Sequence, residues 1–337
     1  MLKPVDSSTQ IFAYHVLHKH ISSMLGEMDG VRKAEDIESI HRMRVATRRL
    51  RNALDLFNDL LPTKKSVRWL DTVKKVTKSL GAARDLDVQM DVVAGFIARQ
   101  TERKFLAGSR RIYTRLEQSR KKIQKRVLIA MDDAEKSGDL VEMQAYFTLP
   151  VPDGENEETA IPKAEYSTAL YFRAVSVIFQ RLESFLAYEI SMYDPANIKE
   201  LHAMRIQAKW LRYSLETFAE MYPDQLKKPI AAARLTQEYL GLIHDCDIWA
   251  DFLPGFIERE QKRTAKYYAS EAPFNFLRPG LNAFMQNRAE TRQQLYTDFL
   301  DQWAKWRKEG VWDRLRLSLT EPLVAPRPSP LSPEPEG

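Results

Sequence analysis

IHRMRVATRRLRNALDLFNDLLP, residues 40–62, and LHAMRIQAKWLRYSLETFAEMYP, residues 201–223, share eight of twenty-three positions when laid over one another. The match resumes further on, where LGAARDLD at residues 80–87 answers LGLIHDCD at residues 240–247 with a shift of one residue. Gene duplication accounts for this, and it predicts two similar units packed about a pseudo-twofold axis. Wound at 3.6 residues per turn, His41, Arg44, Arg48 and Arg51 fall on one stripe, while Met43, Leu50, Leu54 and Phe57 fall on another. The second copy repeats the spacing with His202, Arg205, Lys209 and Arg212. Solvated arginines on a helix usually alternate with acids at i+4. Here the first acid on each stripe is Asp55 or Glu216, a full turn beyond the last arginine. A packing face and a separate cationic face, both written twice, imply a negatively charged partner.

The surrounding sequence reads as helix throughout. Glycine is scarce, at 12 of 337 residues, β-branched runs are short, and Leu, Ala, Arg, Lys, Glu and Gln recur with a period near 3.6. The expected fold class is all-α, two tandem helical repeats related by a pseudo-twofold axis, with a basic groove or channel between them. Helices are predicted over about Ser8–Met28, Asp36–Leu61 and Lys64–Leu80, then from Asp85 onward, with a long charged helix over Arg99–Ala134. Asp194-Pro195 reads as a start signal, an N-cap acid followed by proline at the first helical position. The predicted organisation is a first repeat over 1–147, an acidic proline-containing linker over 148–163, a second repeat over 164–320 and a disordered proline-rich tail over 321–337. The tail, EPLVAPRPSPLSPEPEG, is expected not to be helical.

Hydrophobic residues make up 44% of the chain and charged residues 29%, the balance of a soluble globular protein. The single cysteine, Cys246, precludes an intrachain disulfide and suits a reducing compartment, where it reads as a small buried residue. No apolar run approaches the roughly twenty residues of a membrane helix and no secretory leader is evident, so the expected location is cytoplasmic. The net charge of +5 is uneven. Residues 1–147 carry 28 Lys+Arg against 19 Asp+Glu, a net of +9, whereas the remainder nets −4. Such a basic field argues for a polyanion. Arginine's planar fork binds phosphate oxygens at two points, and a histidine among arginines stays neutral until an anion arrives. Lys74, Lys78, Arg111, Arg115 and Arg234 are secondary candidates for contact. The competing reading of the stripes is interhelical salt bridging to Asp85, Asp87, Asp245 and Asp247 beside glycines that would break the helix.

His41-x-x-Arg44, followed by Ala46-Thr47-Arg48-Arg49-Leu50-Arg51 and Leu80-Gly81-x-x-Arg84-Asp85-x-Asp87, resembles the CHAD domain, the "conserved histidine α-helical domain". His202-x-x-Arg205 with Lys209-x-Leu211-Arg212 and Leu240-Gly241-x-x-x-Asp245 is similar to that family's second repeat. The likeness runs from about residue 8 to about 318. It implies paired four-helix bundles whose basic surface binds inorganic polyphosphate and directs proteins to polyphosphate granules. Carried over by position, that role falls on His41, Arg44, Arg48, Arg51, His202, Arg205, Lys209 and Arg212. CHAD domains often follow a CYTH triphosphatase domain. Its E-x-E-x-K signature is absent, and Glu155-Asn156-Glu157-Glu158-Thr159 lacks the lysine, so a stand-alone binding module is expected. Trp210 stands where the first copy has Arg49, which breaks the symmetry of the site.

The favoured expectation is noncatalytic polyphosphate binding with no cofactor; any Mg²⁺ would come with the ligand as a counterion. The same charge would serve nonspecific nucleic-acid binding, but single-strand readers interleave aromatic platforms with cations, and Trp210 and Tyr213 fall off the stripes. A phosphohydrolase or polyphosphate kinase is less favoured, because neither a P-loop nor an H-x-E or H-E-x-x-H pattern occurs. His15 and His18, at i and i+3, are read as surface features rather than metal ligands. A protein partner with an acidic face stays open.

Overall fold

A polar side chain starts the first helix of each half, and the two starts touch. Asp6 caps α1 (Ser7–Gly26) by accepting from the Thr9 amide at 3.0 Å, and Ser167 caps α7 (Thr168–Leu186) by accepting from the Leu170 amide at 3.1 Å. The Ser167 hydroxyl in turn donates to the Asp6 carboxylate. The computed structural model describes residues 6–33, 37–148, 166–222 and 224–324. Among them there is no strand, and α-helix dominates. The first half continues with α2 (Met28–Lys33), α3 (Ile37–Leu56), α4 (Thr63–Ala98), α5 (Leu106–Lys136) and α6 (Asp139–Phe147); the second with α8 (Ile198–Thr217), α9 (Lys227–Tyr268), α10 (Arg278–Lys308) and α11 (Val311–Val324).

The two halves pack in parallel ways. α1 lies on α3, α3 on α4, α4 on α5, and α6 returns to α1; likewise α7 lies on α8, α8 on α9, α9 on α10, and α11 returns to α7. The main contacts between halves join α1 to α7, α3 to α8 and α5 to α10. Phe57 and Phe218, the phenylalanine common to both repeats, meet edge to face at 6.3 Å, and Phe12 stacks on Phe218 at 5.8 Å. The main core therefore draws on both halves. A second core at the far ends of the long helices combines Val93, Phe96, Ile112 and Leu116 with Trp249, Leu253, Phe256 and Phe284. Beside it α5 crosses α10 at Gly108 and Gly280. A Cβ on Gly108 would fall 2.1 Å from the Leu277 carbonyl oxygen, and one on Gly280 2.2 Å from that of Phe105.

Several boundaries differ from the sequence reading. α4 does not stop near Leu80 but runs 36 residues through Gly81, because Val76, Leu80, Ala83 and Asp87 keep one buried face and an interior glycine costs only about 1 kcal/mol. α5 starts at Leu106 rather than Arg99, after a 3₁₀ turn over Arg103–Phe105. α8 begins at Ile198, not at Asp194-Pro195. The Asp194 carboxylate accepts from the Ala196 amide at 2.9 Å and so closes a turn before the helix. Glu321–Val324 form the last turn of α11 despite Pro322, since a proline so near the helix end forfeits one backbone bond and Leu319 anchors the preceding turn. Residues 149–163 of the expected linker, and 325–337 of the expected tail, lie outside the described residues.

Candidate polyanion-binding site

α3 and α8 present the two stripes, and their packing on one another brings the stripes together. All eight stripe residues are half-buried. Arg44 lies within electrostatic reach of Arg48 and Arg205, and Lys209 within reach of Arg48, Arg205, Arg51 and Arg44. Glycines on α4 and α9 admit the arginine stems. The Arg44 Nε lies 4.0 Å from where a Cβ on Gly81 would sit, and the Arg205 Nε 3.2 Å from one on Gly241. Read in the sequence as helix breakers, these glycines instead clear space in unbroken helices.

Of the acids nearest the stripes in sequence, most face elsewhere. Asp85 accepts from the Arg44 Nη2 at 3.0 Å, the one salt bridge of this set to a stripe among the described residues. Asp87 holds Arg120 of α5 at 2.7 Å and Asp247 holds Arg292 of α10 at 2.5 Å, so the second aspartate of each D-x-D ties its helix to the next one along. Asp245 has no salt bridge among the described residues; burial pushes its carboxyl up, against the pull of Arg205. Asp55 and Glu216, which close the stripes in sequence, reach across the halves. Asp55 accepts from Arg181 of α7 at 2.9 Å, and Glu216 from Arg49 of α3 at 2.9 Å. Glu216 also lies 3.3 Å from the Arg212 Nε, without hydrogen-bond alignment.

The result is a concentration of positive charge with unpaired polar atoms. The Nε atoms of Arg44, Arg51, Arg205 and Arg212 and the Nδ1 of His202 are buried without a hydrogen-bond partner, and each unsatisfied buried donor costs about 1–3 kcal/mol. Burial, then the neighbouring Arg84, lowers the His41 pKa; burial, then His244, lowers that of His202. Lys209 is pushed down to about 8, first by burial and then by Arg48, Arg205, Arg51 and Arg44.

His244 escaped the sequence reading, which left its position blank within Leu240-Gly241-x-x-x-Asp245. Its ring lies 4.0 Å from that of His202, centroid to centroid, and its Nδ1 is also buried without a partner. The available signal was the repeat itself, since His244 occupies the place of Arg84. The secondary candidates separate. Lys74 and Lys78 are exposed, share the face of α4 that carries Gly81 and Asp85, and make no ion pair among the described residues. Arg234 is drawn to Glu238 at 3.9 Å. Arg111 and Arg115, with Arg263, surround the fully buried Glu260 and join α5 to α9. These two arginines therefore brace the fold, because a carboxylate buried that deeply requires several donors. Trp210 lies beneath the Lys209 ammonium at 4.7 Å and Tyr213 is buried beneath Arg212, so neither offers an open stacking face. Cys246 is buried, and burial raises its thiol pKa. Among the described residues no group of three or more His, Cys, Asp or Glu could hold a metal, and no helix is long and apolar enough to cross a membrane.

Comparison with known proteins settles the family. The sequence pattern of the CHAD domain matches residues 15–254. The chain belongs to the CHAD family. The CHAD domain from the plant Ricinus communis, known from its crystal structure, has the same fold, at 22% identity and a TM-score of 0.54 over 93% of this chain and 91% of that one. PptA from Streptomyces chartreusis superposes over 86% of this chain and 99% of its own at 14% identity and a TM-score of 0.49. No curated protein matches the sequence.

Proposed function

We propose that this CHAD protein binds inorganic polyphosphate, without chemical conversion, along the cationic cluster formed by His41, Arg44, Arg48, Arg51, His202, Arg205, Lys209 and Arg212. One observation carries the reading: two stripes from separate halves converge, their acids are largely engaged elsewhere, and the buried guanidinium donors have no acceptor. A polyphosphate chain has charges and oxygens but no bases, so its receptor needs cations and no stacking platforms. Lys74 and Lys78 continue the track along α4, while the equivalent stretch of α9 carries the Arg234–Glu238 pair, so the first copy contributes more contacts. Attachment to polyphosphate granules follows from the same affinity.

Nucleic acid is the second reading, since counterion release favours any polyanion. The covered ring of Trp210 and the buried ring of Tyr213 count against it. The test is a titration of the purified protein with labelled long-chain polyphosphate, with chain length read on a gel after prolonged incubation. Saturable binding with unchanged chain length is expected. Shortened or lengthened chains would make the protein an enzyme.

A further inference from the structure

The two copies of the site differ in one physical respect. Where the first copy has Arg48 and Arg84, whose charge is permanent, the second has Lys209 and His244, which titrate. Both substitutions lie in the same neighbourhood. Lys209 faces Arg44, Arg48 and Arg51 from α3 and Arg205 from its own helix, with the Trp210 ring beneath it. His202 faces His244 from α9 and Arg205 and Lys209 from α8. His244 faces Arg205, with Asp247 of its own helix and Asp85 of α4 as the nearby acids. Asp85 pairs with Arg44 and Asp247 with Arg292, so neither is free to neutralise the imidazoles.

Resting on the polyphosphate reading, we infer that the second copy is a proton-coupled phosphate subsite, in which oxygens docking against Lys209, His202 and His244 draw protons onto these groups, so that ligand is captured with proton uptake. The direction follows from the surroundings. In the free protein, burial and neighbouring cations favour the neutral forms of all three groups. A phosphate at this point supplies the missing negative charge beside two rings, 4.0 Å apart, whose buried Nδ1 atoms have no partner. The bound state then holds more protons than the free state, and affinity falls as pH rises through the free-state values. Lys209, at about 8, governs the alkaline side and the imidazoles the acidic side.

The experiment is isothermal calorimetry of the full chain with long-chain polyphosphate, whose internal phosphates stay ionised throughout, in pairs of buffers that differ in ionisation enthalpy. At pH 8 the wild type should take up about half a proton through Lys209, and between pH 7 and pH 9 its affinity should fall about tenfold. Lys209→Arg, the residue that the first copy holds there, should abolish both the uptake at pH 8 and the fall in affinity between pH 7 and pH 9. His244→Arg should lessen the uptake at mildly acidic pH to the share carried by His202, and leave that at pH 8. Polyphosphate binding with no net proton exchange at either pH, or unchanged uptake by Lys209→Arg, would overturn the inference and leave the polyphosphate reading standing. Absence of binding at every pH would overturn that reading itself.

Discussion

Reversing one charge on each stripe, with Arg44→Glu and Arg205→Glu together, should abolish most polyphosphate binding without harming the fold. Each guanidinium is half-buried among like charges, and desolvation disfavours its charged form. Arg44 has one salt bridge, to an Asp85 side chain that is 64% exposed and readily solvated, and Arg205 has none among the described residues. Loss of Arg44 thus strands only a solvated carboxylate, and loss of Arg205 breaks no salt bridge but leaves Asp245 to take up the proton that its burial favours. A hydrogen bond between an arginine and a phosphate contributes about 1.5–3 kcal/mol. Two such losses come to about 3–6 kcal/mol, a reduction in affinity of roughly 10²–10⁴-fold, to which repulsion by the new carboxylates adds. The matched control reverses Lys121 and Lys122, exposed residues on α5 where Lys121 pairs with Glu117 at 3.5 Å. Exposed charges of this kind contribute about 0–1 kcal/mol each, so the double control should lose less than about thirtyfold. Fluorescence anisotropy at fixed salt measures both variants, and thermal unfolding should show the stripe variant to be no less stable than wild type. Equal losses in the two variants would refute the reasoning and assign binding to diffuse charge.

Binding should weaken steeply with salt. With Arg44, Arg48, Arg51, Arg205, Lys209 and Arg212 each neutralising a phosphate, a plot of log affinity against log salt should slope by about −4, and a flat response would indicate a compact small-molecule pocket. Replacement of Gly108 or Gly280 by valine forces α5 and α10 apart where a Cβ already meets backbone at 2.1 or 2.2 Å; a loss above about 3 kcal/mol is expected in urea unfolding, against little change for valine at exposed Ala82. Burial would raise the Glu260 carboxyl, but hydrogen bonds from Arg115, Arg263 and Arg111 bring it below its ordinary value. Its contribution is thus present above the unfolded-state pKa of about 4.3 and lost as pH falls through the lower folded-state value. Glu260→Gln should therefore cost about 3–5 kcal/mol at neutral pH and flatten the acid limb of a stability profile.

The helical class and the placing of the cations on one side of each helix were legible because both are local or periodic. The three-four-three spacing places His41, Arg44, Arg48 and Arg51 on one side of α3, and the repeated spacing does the same on α8. Which side faces which neighbour is not periodic information. Asp55 and Glu216 look like stripe acids in sequence, yet helix packing carries them to Arg181 and Arg49 of the opposite half. Arg111 and Arg115 resembled further binding cations until Glu260, some 145 residues away, proved to lie between them. Gly81 and Gly241 read as breaks because propensity was weighed without the arginine that crosses each one. His244 was missed because its importance arises from a ring on another helix, although its alignment with Arg84 marked the place.

The central claim is that the site is built for a chain of phosphates rather than for negative charge in general. Its most direct test is competition: labelled long-chain polyphosphate bound to the purified protein at physiological salt, challenged with single-stranded DNA of matched charge. Failure of the DNA to displace the polyphosphate is the result this account predicts. Displacement charge for charge would contradict it and make the protein a general polyanion binder.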